Sequence, residues 1–262
     1  MNDNTVLLAV HDHHATLTLN RPERHNAFDD AMLSVLLNAL QTIKANAAIR
    51  FVILRANGTS FSAGADVAWM QRMSGYSYSQ NIEDAELLAN VMDALANLPQ
   101  PTLAIVQGAA FGGGVGLIAC CDIVLAATSA EFCLSEVKLG LIPAVISPYL
   151  IRAMGFKTTT RYALTAERFN ASIALQAGLV SEVIEPLLLE ARAEAIQTHL
   201  LKNAPTALRE CKKLLNQLLE PEPFSHIKAL TVETIARLRV SPEGQVGLKA
   251  FLNKQTPTWH VA

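Results

Sequence analysis

Three consecutive glycines at 112–114 lie within one of the most apolar stretches of the chain, "GAAFGGGVGLIACCDIVLAA" at 108–127. Glycine is costly to order and has no side chain to pack, so this pattern indicates backbone that must approach something closely. The surrounding residues predict a strand, a tight turn and a helix. Backbone N–H groups at a helix N-terminus favour negative charge, which makes the turn a candidate anion site. On spacing alone, a close contact between helix and strand accounts for the glycines equally well.

A second glycine turn has the same arrangement. The stretch "GTSFSAGADVAWM" at 58–70 follows the strand-like run "FVILRA" and places Gly64 shortly before Asp66, at the predicted start of another helix. Two such turns could together offer two N–H donors to a single oxygen atom.

The composition excludes several classes of protein. A chain of 262 residues with 51% hydrophobic residues, 17% charged residues and a net charge of -2 is typical of a soluble globular protein with a large core. No stripe of Lys and Arg indicates a nucleic-acid partner. The longest apolar run is shorter than the roughly 20 residues that span a bilayer, and the N-terminus has no signal-peptide pattern, so we expect no membrane contact and a cytoplasmic location. The four cysteines lack metal-ligand spacing, and the "HDHH" cluster at 11–14 lies in a predicted hairpin turn without other ligands, so no metal is predicted and the thiols are expected to be reduced.

Along the chain, strand-like and helix-like segments alternate, which predicts an α/β fold. "TVLLAV" and "ATLTL" flank a turn as a hairpin would, and apolar residues recur at helical spacing after Asp29 and Asp30. The aperiodic segment 71–81, with Tyr76 and Tyr78, is interpreted as a mobile loop beside a site. From about residue 203 the pattern predicts only helices, three of them, separated by "EPEP" and "SPEG". We therefore divide the chain into a core at 1–202 and a helical region at 203–262, which covers the core or builds contacts between subunits.

Four motifs resemble the crotonase (enoyl-CoA hydratase/isomerase) superfamily: "LNRPERHNAF", "FSAGADVAWM", "PQPTLAIVQGAAFGGGVGLIACCDIVLAA" and "FCLSEVKLGLIPA". Their order and spacing also fit, and the likeness covers nearly the whole chain. The resemblance implies a spiral of ββα turns, a C-terminal helical trimerisation region, and a trimer or a dimer of trimers. It implies a coenzyme A thioester as the substrate and no separate cofactor.

The resemblance also implies roles for individual residues. Ala65 and Gly113 match the positions of two oxyanion-hole N–H groups, which would stabilise an enolate on the thioester oxygen. Ala63 matches a position whose backbone carbonyl contacts the adenine of coenzyme A, and Asp66 is assigned to the same coenzyme A site. Arg24 and His25 correspond more loosely to a strand end near the pantetheine and the phosphates. Phe251 and Lys254 match positions that would reach coenzyme A from a neighbouring subunit. The substrate pocket would be lined by Gly112, Gly116 and Leu141.

The carboxylates are where the sequence departs from the family. Hydratases of this family generally use two glutamates; Glu136 matches the second, but Gly116 stands where the first would be. Three interpretations follow. Glu136 alone shuttles a proton in a double-bond isomerase; or the enzyme hydrates a branched substrate whose own carboxylate assists; or the chain binds acyl-CoA without catalysis.

We favour the hydratase, because "FGGGVGLIACCDI" and "FCLSEVKLGLIPAVISPYLIRAMG" are most similar to bacterial methylglutaconyl-CoA hydratases of leucine degradation and to related hydratases of terpene degradation. In this hypothesis Glu136 protonates the α-carbon, and the substrate carboxylate holds or deprotonates water near Gly116. A glutamate at position 116 would repel that carboxylate, whereas glycine leaves room. The positive partner of the substrate carboxylate is not identified, although Lys138, Arg152 and Arg161 are available.

Overall fold

Two sheets organise the computed structural model, which describes residues 3–260. The strands in chain order are β1 (Val6–Val10), β2 (His14–Leu19), β3 (Phe51–Ala56), β4 (Thr102–Val106), β5 (Ala110–Phe111), β6 (Ile123–Ala127), β7 (Glu131–Cys133), β8 (Phe169–Asn170) and β9 (Glu182–Ile184). The larger sheet has the order β1-β2-β3-β4-β6-β9 and the smaller one β5-β7-β8. β1 and β2 form the predicted antiparallel hairpin, and the remaining neighbours in the larger sheet are parallel.

The helices connect these strands and then form the C-terminal region. They are α1 (Asp30–Ala45), α2 (Val67–Met73), α3 (Tyr78–Ala96), α4 (Gly113–Ala119), α5 (Ser147–Thr165), α6 (Ala171–Ala177), α7 (Leu189–Lys202), α8 (Pro205–Gln217), α9 (Phe224–Val240) and α10 (Pro242–Leu252). Asp29 and Asp30 both precede the apolar repeat; it is the side chain of Asp29 that caps α1. The three helices predicted after residue 203 are α8, α9 and α10.

The predicted loop at 71–81 is largely wrong. α2 continues to Met73 and α3 begins at Tyr78, so only four residues separate the two helices. Ser77 starts α3 with a capping box, in which its hydroxyl accepts from the N–H of Gln80 and the Gln80 side chain accepts from the N–H of Ser77. This polar start concealed the helix, because the apolar repeat becomes regular only further along.

The central strands of the larger sheet are buried on both faces. Alternate residues of β3 point to opposite sides: Val52 and Leu54 join the main core, and Phe51 and Ile53 join a smaller cluster with α7. Burial on both faces explains why β3 and β4 read as continuous apolar runs. The main core also receives α1, α3 and α4, and in this way the sheet holds both glycine turns in place.

The C-terminal region is anchored to the core by buried charge. Lys212 of α8 lies 2.7 Å from the Asp122 carboxylate, and the Arg50 guanidinium donates to the carbonyl oxygens of Leu201, Asn203 and Trp259. Asp122 therefore has a structural role. Among the helices of residues 3–260, none combines the length and the apolar character needed to cross a membrane.

Candidate active site

The two glycine turns pack directly against each other. Ser62 and Ala110 form a parallel bridge, and the N–H of Phe111 donates to the Ser62 carbonyl oxygen at 2.9 Å. A Cβ atom on Gly64, whose φ is +87°, would lie 2.9 Å from the carbonyl oxygen of Phe111. Position 64 therefore requires glycine, and the turn that contains Ala65 lies beside the turn that contains Gly113.

Each glycine of the triplet is required for a different reason. Gly112 has a φ of +51°, and a Cβ there would lie 3.1 Å from Oε1 of Glu136. A Cβ on Gly113 would lie 2.4 Å from Cζ of Phe28, and one on Gly114 would lie 2.8 Å from the carbonyl oxygen of Ser62. The triplet thus combines close packing between elements with a close approach to a carboxyl group.

Two backbone N–H groups at this junction have no partner in the described part of the chain. Among residues 3–260, the N–H groups of Ala65 and Gly113 donate no hydrogen bond, and both residues are partly exposed. Gly113 is the first residue of α4, where a free N–H is expected, and Gly112 donates instead to the Cys133 carbonyl oxygen at 2.8 Å. Two unpaired donors on adjacent turns can stabilise negative charge on an oxygen atom between them.

The Glu136 carboxyl group lies beside these donors. Glu136 begins a short 3-10 helix, separated by two residues from the end of β7, and β7 pairs with β5, which connects Glu136 to the glycine turn. Its Oε2 atom is buried and has no hydrogen-bond partner in the described chain. Burial raises the pKa of Glu136, although a hydrogen bond from its own backbone N–H opposes part of this rise. A carboxyl group with a raised pKa is suited to exchanging protons with carbon.

The prediction of open space near Gly116 is wrong. Gly116 is buried in α4, and a Cβ there would lie 2.2 Å from Cγ2 of Ile146 and 3.1 Å from Cε of Met92. Ile146 and Met92 are themselves buried. Gly116 therefore belongs to the packed core and not to the substrate pocket, and neither a second carboxylate nor a substrate carboxylate fits at this point.

Three residues predicted to contact coenzyme A lie together beside the site. Arg24 and His25 are exposed, and the His25 carbonyl oxygen accepts from the N–H of Ala63 at 2.9 Å. Ala63 is also exposed, and its own carbonyl oxygen accepts no hydrogen bond from residues 3–260. That carbonyl is available to a ligand, and the contact with adenine stays a prediction.

Asp66 has a structural role instead. Its Oδ1 atom accepts from the N–H groups of Ala68 and Trp69, which caps α2, and its Oδ2 atom pairs with Arg21 at 3.1 Å. Burial alone would raise the pKa of Asp66, but these N–H groups together with the Arg21 and Arg24 charges lower it. Both oxygens are engaged within the protein, so the side chain is not free to contact coenzyme A.

The remaining predicted residues are more scattered. Leu141 is exposed, and its N–H donates to the Glu136 carbonyl oxygen at 3.1 Å, so a role in the pocket stays a prediction. Phe251 and Lys254 are exposed at the end of α10, without a hydrogen bond or ion pair to the site within the described residues. Arg152 bonds to Asn216 and Arg161 pairs with Glu167, so both guanidinium groups already have partners within the protein.

The sequence analysis missed three residues that shape the site. Arg21 and Phe28 lie in the motif "LNRPERHNAF", of which only Arg24 and His25 were considered, and Ile146 lies just beyond "GLIPA". A basic residue shortly before Asp29 was a possible signal for the ion pair that Arg21 forms. Nothing in the local sequence indicates that Ile146 packs against Gly116.

No group of three or more His, Cys, Asp or Glu residues in the part of the chain that the structure covers could hold a metal ion.

Comparisons with known proteins agree with this geometry. The family model for enoyl-CoA hydratase/isomerase matches residues 12–261. A crystal structure of an enoyl-CoA hydratase from Shewanella pealeana superposes with a TM-score of 0.94 at 45% identity, covering 97% of this chain and 96% of that chain, which confirms the fold class. The 2,3-dehydroadipyl-CoA hydratase of Escherichia coli is 31% identical over 92% of each chain. The trans-2-decenoyl-[acyl-carrier-protein] isomerase of Streptococcus mutans is 29% identical over 98% of each chain.

Proposed function

Because the chain belongs to the enoyl-CoA hydratase/isomerase family, we propose that it hydrates an α,β-unsaturated acyl-CoA, with a 3-branched glutaconyl-CoA such as 3-methylglutaconyl-CoA as the preferred substrate. One observation carries the proposal: the N–H groups of Ala65 and Gly113, which have no partner among residues 3–260, lie on turns that meet beside the carboxyl group of Glu136.

These groups divide the chemistry between them. The thioester oxygen accepts hydrogen bonds from Ala65 and Gly113, which stabilises the enolate that forms when water adds to the β-carbon. Protonated Glu136 then delivers its proton to the α-carbon, and its raised pKa keeps more of the carboxyl group in that form. The oxygen of water bonds to the β-carbon, and the proton that it loses replaces the one that Glu136 gave up. Removing one oxyanion donor costs about 3 kcal/mol of transition-state stabilisation in comparable sites.

The substrate proposal is modified by the packing of Gly116. Since Ile146 fills the space beside Gly116, the water must be held elsewhere, and a carboxylate that arrives with the substrate can hold it. The name of the Escherichia coli relative describes a substrate with a free distal carboxyl group, which supports an acyl group of this class. The nucleotide part of coenzyme A would meet Arg24, His25 and Ala63.

A second function is favoured by the same packing. Because Gly116 packs against Ile146 and Met92, position 116 has no room for a second carboxylate, and Glu136 alone supplies the one carboxyl group that a double-bond isomerase requires. The Glu136 carboxylate would remove a proton from C2 of a 3-enoyl thioester and return it to C4, without any net change in composition. The Streptococcus mutans relative is named as an isomerase.

Product analysis by mass spectrometry, with the isomeric thioesters first separated by chromatography, distinguishes the two functions. The protein is incubated separately with 3-methylglutaconyl-CoA and with a 3-enoyl-CoA. Gain of one water by the first and no change in the second supports the hydratase. A shift of the double bond at constant mass in the second, with the first inert, replaces it with the isomerase. The Glu136→Gln variant is the control in each case, because either reaction requires this group to exchange a proton; full activity in that variant would remove Glu136 from the mechanism.

A further inference from the structure

Arg21 lies behind the turn that carries Ala65. Its side chain is 16% exposed, and its two terminal nitrogens pair with different carboxylates. Nη1 lies 3.1 Å from Oδ2 of Asp29, and Nη2 lies 3.1 Å from Oδ2 of Asp66. Nη1 also donates to the carbonyl oxygen of Ala27 at 2.9 Å. The planar guanidinium fixes the direction of all three bonds, which the single ammonium group of a lysine does not do.

Both of these carboxylates are helix caps. Oδ1 of Asp29 accepts from the N–H of Met32 at the start of α1, and Oδ1 of Asp66 accepts from the N–H of Ala68 at the start of α2. Each acid therefore uses one oxygen for its helix and the other for Arg21. One guanidinium group thus joins the N-termini of two helices.

The residues that precede these two caps are paired with each other. Phe28 and Ala65 form a parallel bridge, in which the N–H of Phe28 donates to the Gly64 carbonyl oxygen at 2.8 Å and the N–H of Asp66 donates to the Phe28 carbonyl oxygen at 3.0 Å. Because both bonds use the neighbours of Ala65, the N–H of Ala65 points away from Phe28 and has no partner in the described chain.

Phe28 also contacts the second donor. Its buried ring lies against Gly113, where an added Cβ would be only 2.4 Å from Cζ. The backbone of Phe28 therefore supports the turn of Ala65, and its side chain supports the turn of Gly113.

We propose that Arg21 is a positioning residue for the oxyanion site: by holding Asp29 and Asp66 on either side of the Phe28–Ala65 bridge, it fixes the Ala65 N–H relative to the Gly113 N–H. This inference rests on the proposed function, since it assumes that a thioester oxygen binds between the two donors. Hydrogen bonds weaken steeply as their angle departs from linearity, so a small displacement of one turn reduces the polarisation of the thioester.

Infrared spectroscopy of a bound thioester measures the polarisation of its carbonyl group directly. Butyryl-CoA labelled with ¹³C at the thioester carbonyl binds but has no double bond to react, and its carbonyl stretch in the infrared difference spectrum moves to lower frequency as hydrogen bonds to the oxygen strengthen. Arg21→Met and Arg21→Lys are compared with Arg72→Met. Arg72 pairs with Asp30 and so also joins α2 to α1, but on the exposed side and away from the bridge.

We expect the wild type and Arg72→Met to show the same shift, Arg21→Lys a smaller one and Arg21→Met the smallest. In Arg21→Met, kcat for the substrate identified by the product analysis should fall about tenfold to a hundredfold. The Kd of butyryl-CoA should stay nearly unchanged, because the substitution leaves the contacts to the nucleotide in place. Thermal unfolding identifies the folded variants, and Arg21→Lys provides the test if Arg21→Met does not fold.

The possible failures are distinguishable. Absence of a carbonyl shift in the wild type would overturn the oxyanion site, and with it both proposals. A shift in the wild type that persists in the folded Arg21 variants, with unchanged kcat, would overturn only the positioning role. If the Arg21 variants have a lower unfolding midpoint but keep the carbonyl frequency shift of the wild type, Arg21 stabilises the fold and does not position the oxyanion site.

Discussion

At the scale of single residues, Gly113 combines a packing constraint with a chemical one. A methyl group there would overlap the ring of Phe28, so Gly113→Ala must displace either the ring or the first turn of α4. We expect kcat to fall by about two orders of magnitude, because the donor moves away from the thioester oxygen. Overpacking should also lower the free energy of unfolding by about 1–3 kcal/mol. Steady-state kinetics and urea unfolding measure the two effects.

Gly75→Ala is the matched control for this substitution. A Cβ on Gly75 would meet only the Arg72 carbonyl oxygen, at an ordinary contact distance of 3.6 Å. It should leave both kcat and stability close to wild type. Equal losses in the two variants would show that the effect at Gly113 does not come from its contact with Phe28.

The burial of Glu136 predicts a pH-dependent cost in stability. Because burial raises the pKa of Glu136 in the folded protein, the ionised side chain destabilises the fold above that pKa, and this cost disappears below the pKa of the unfolded chain. Glu136→Gln should therefore raise the unfolding midpoint at pH 8 and leave it nearly unchanged at about pH 4, close to the ordinary glutamate value. Glu86→Gln, on an exposed face of α3, should have no effect at either pH. A stabilisation that is the same at both pH values would contradict the role of the charge.

How far the site could be predicted depends on the kind of residue. The glycine turns could be located because glycines within an apolar segment are locally unusual, whereas Glu136 was identified only through the resemblance of its motif to the family. Ile146 could not be located, because an isoleucine after an apolar run is ordinary, and its contact with Gly116 joins residues that are 30 positions apart. The same applies to Asp66, whose second oxygen is engaged by Arg21 from a distant segment.

At the scale of elements, α4 and the start of α5 pack through Gly116 and Ile146. Gly116→Ala should destabilise the protein by about 1–3 kcal/mol, since its Cβ would lie 2.2 Å from Cγ2 of Ile146. Ile146→Ala removes that atom and should cost about 2–5 kcal/mol on its own, through the cavity it leaves. In the double variant the new methyl group enters this cavity, so the combined loss should be smaller than the sum of the two single losses.

Urea unfolding of the four proteins in this double-mutant cycle measures the coupling. Strictly additive losses would show that the helices adjust independently and that Ile146 does not set the requirement for glycine. The elements themselves were easier to predict than this contact, because the strands and α1 have regular apolar patterns. The start of α3 was missed since its signal is a capping box and not an apolar repeat.

At the scale of the whole molecule, α9 and α10 leave large apolar side chains in solvent. The most exposed are Phe224 at 80%, Val240 at 76%, Phe251 at 82% and Leu252 at 76%. A monomeric protein rarely exposes several such residues on consecutive elements, which supports the expectation that this region builds contacts between subunits. The exposure of Phe251 and Lys254, which form no hydrogen bond or ion pair to the site within residues 3–260, fits the same expectation.

Subunit mixing tests whether Lys254 acts in a neighbouring site. Glu136→Gln lacks the proton-transfer group, and Lys254→Ala is expected to raise KM for the acyl-CoA by removing a charge near the nucleotide. In a mixed oligomer formed by refolding the two together, a site can combine Glu136 from one subunit with Lys254 from the other. If Lys254 acts across the interface, such sites are complete, and the mixture shows a fraction of turnover with the wild-type KM. If it acts within its own chain, every site lacks one group, and the mixture shows only the raised KM of Lys254→Ala.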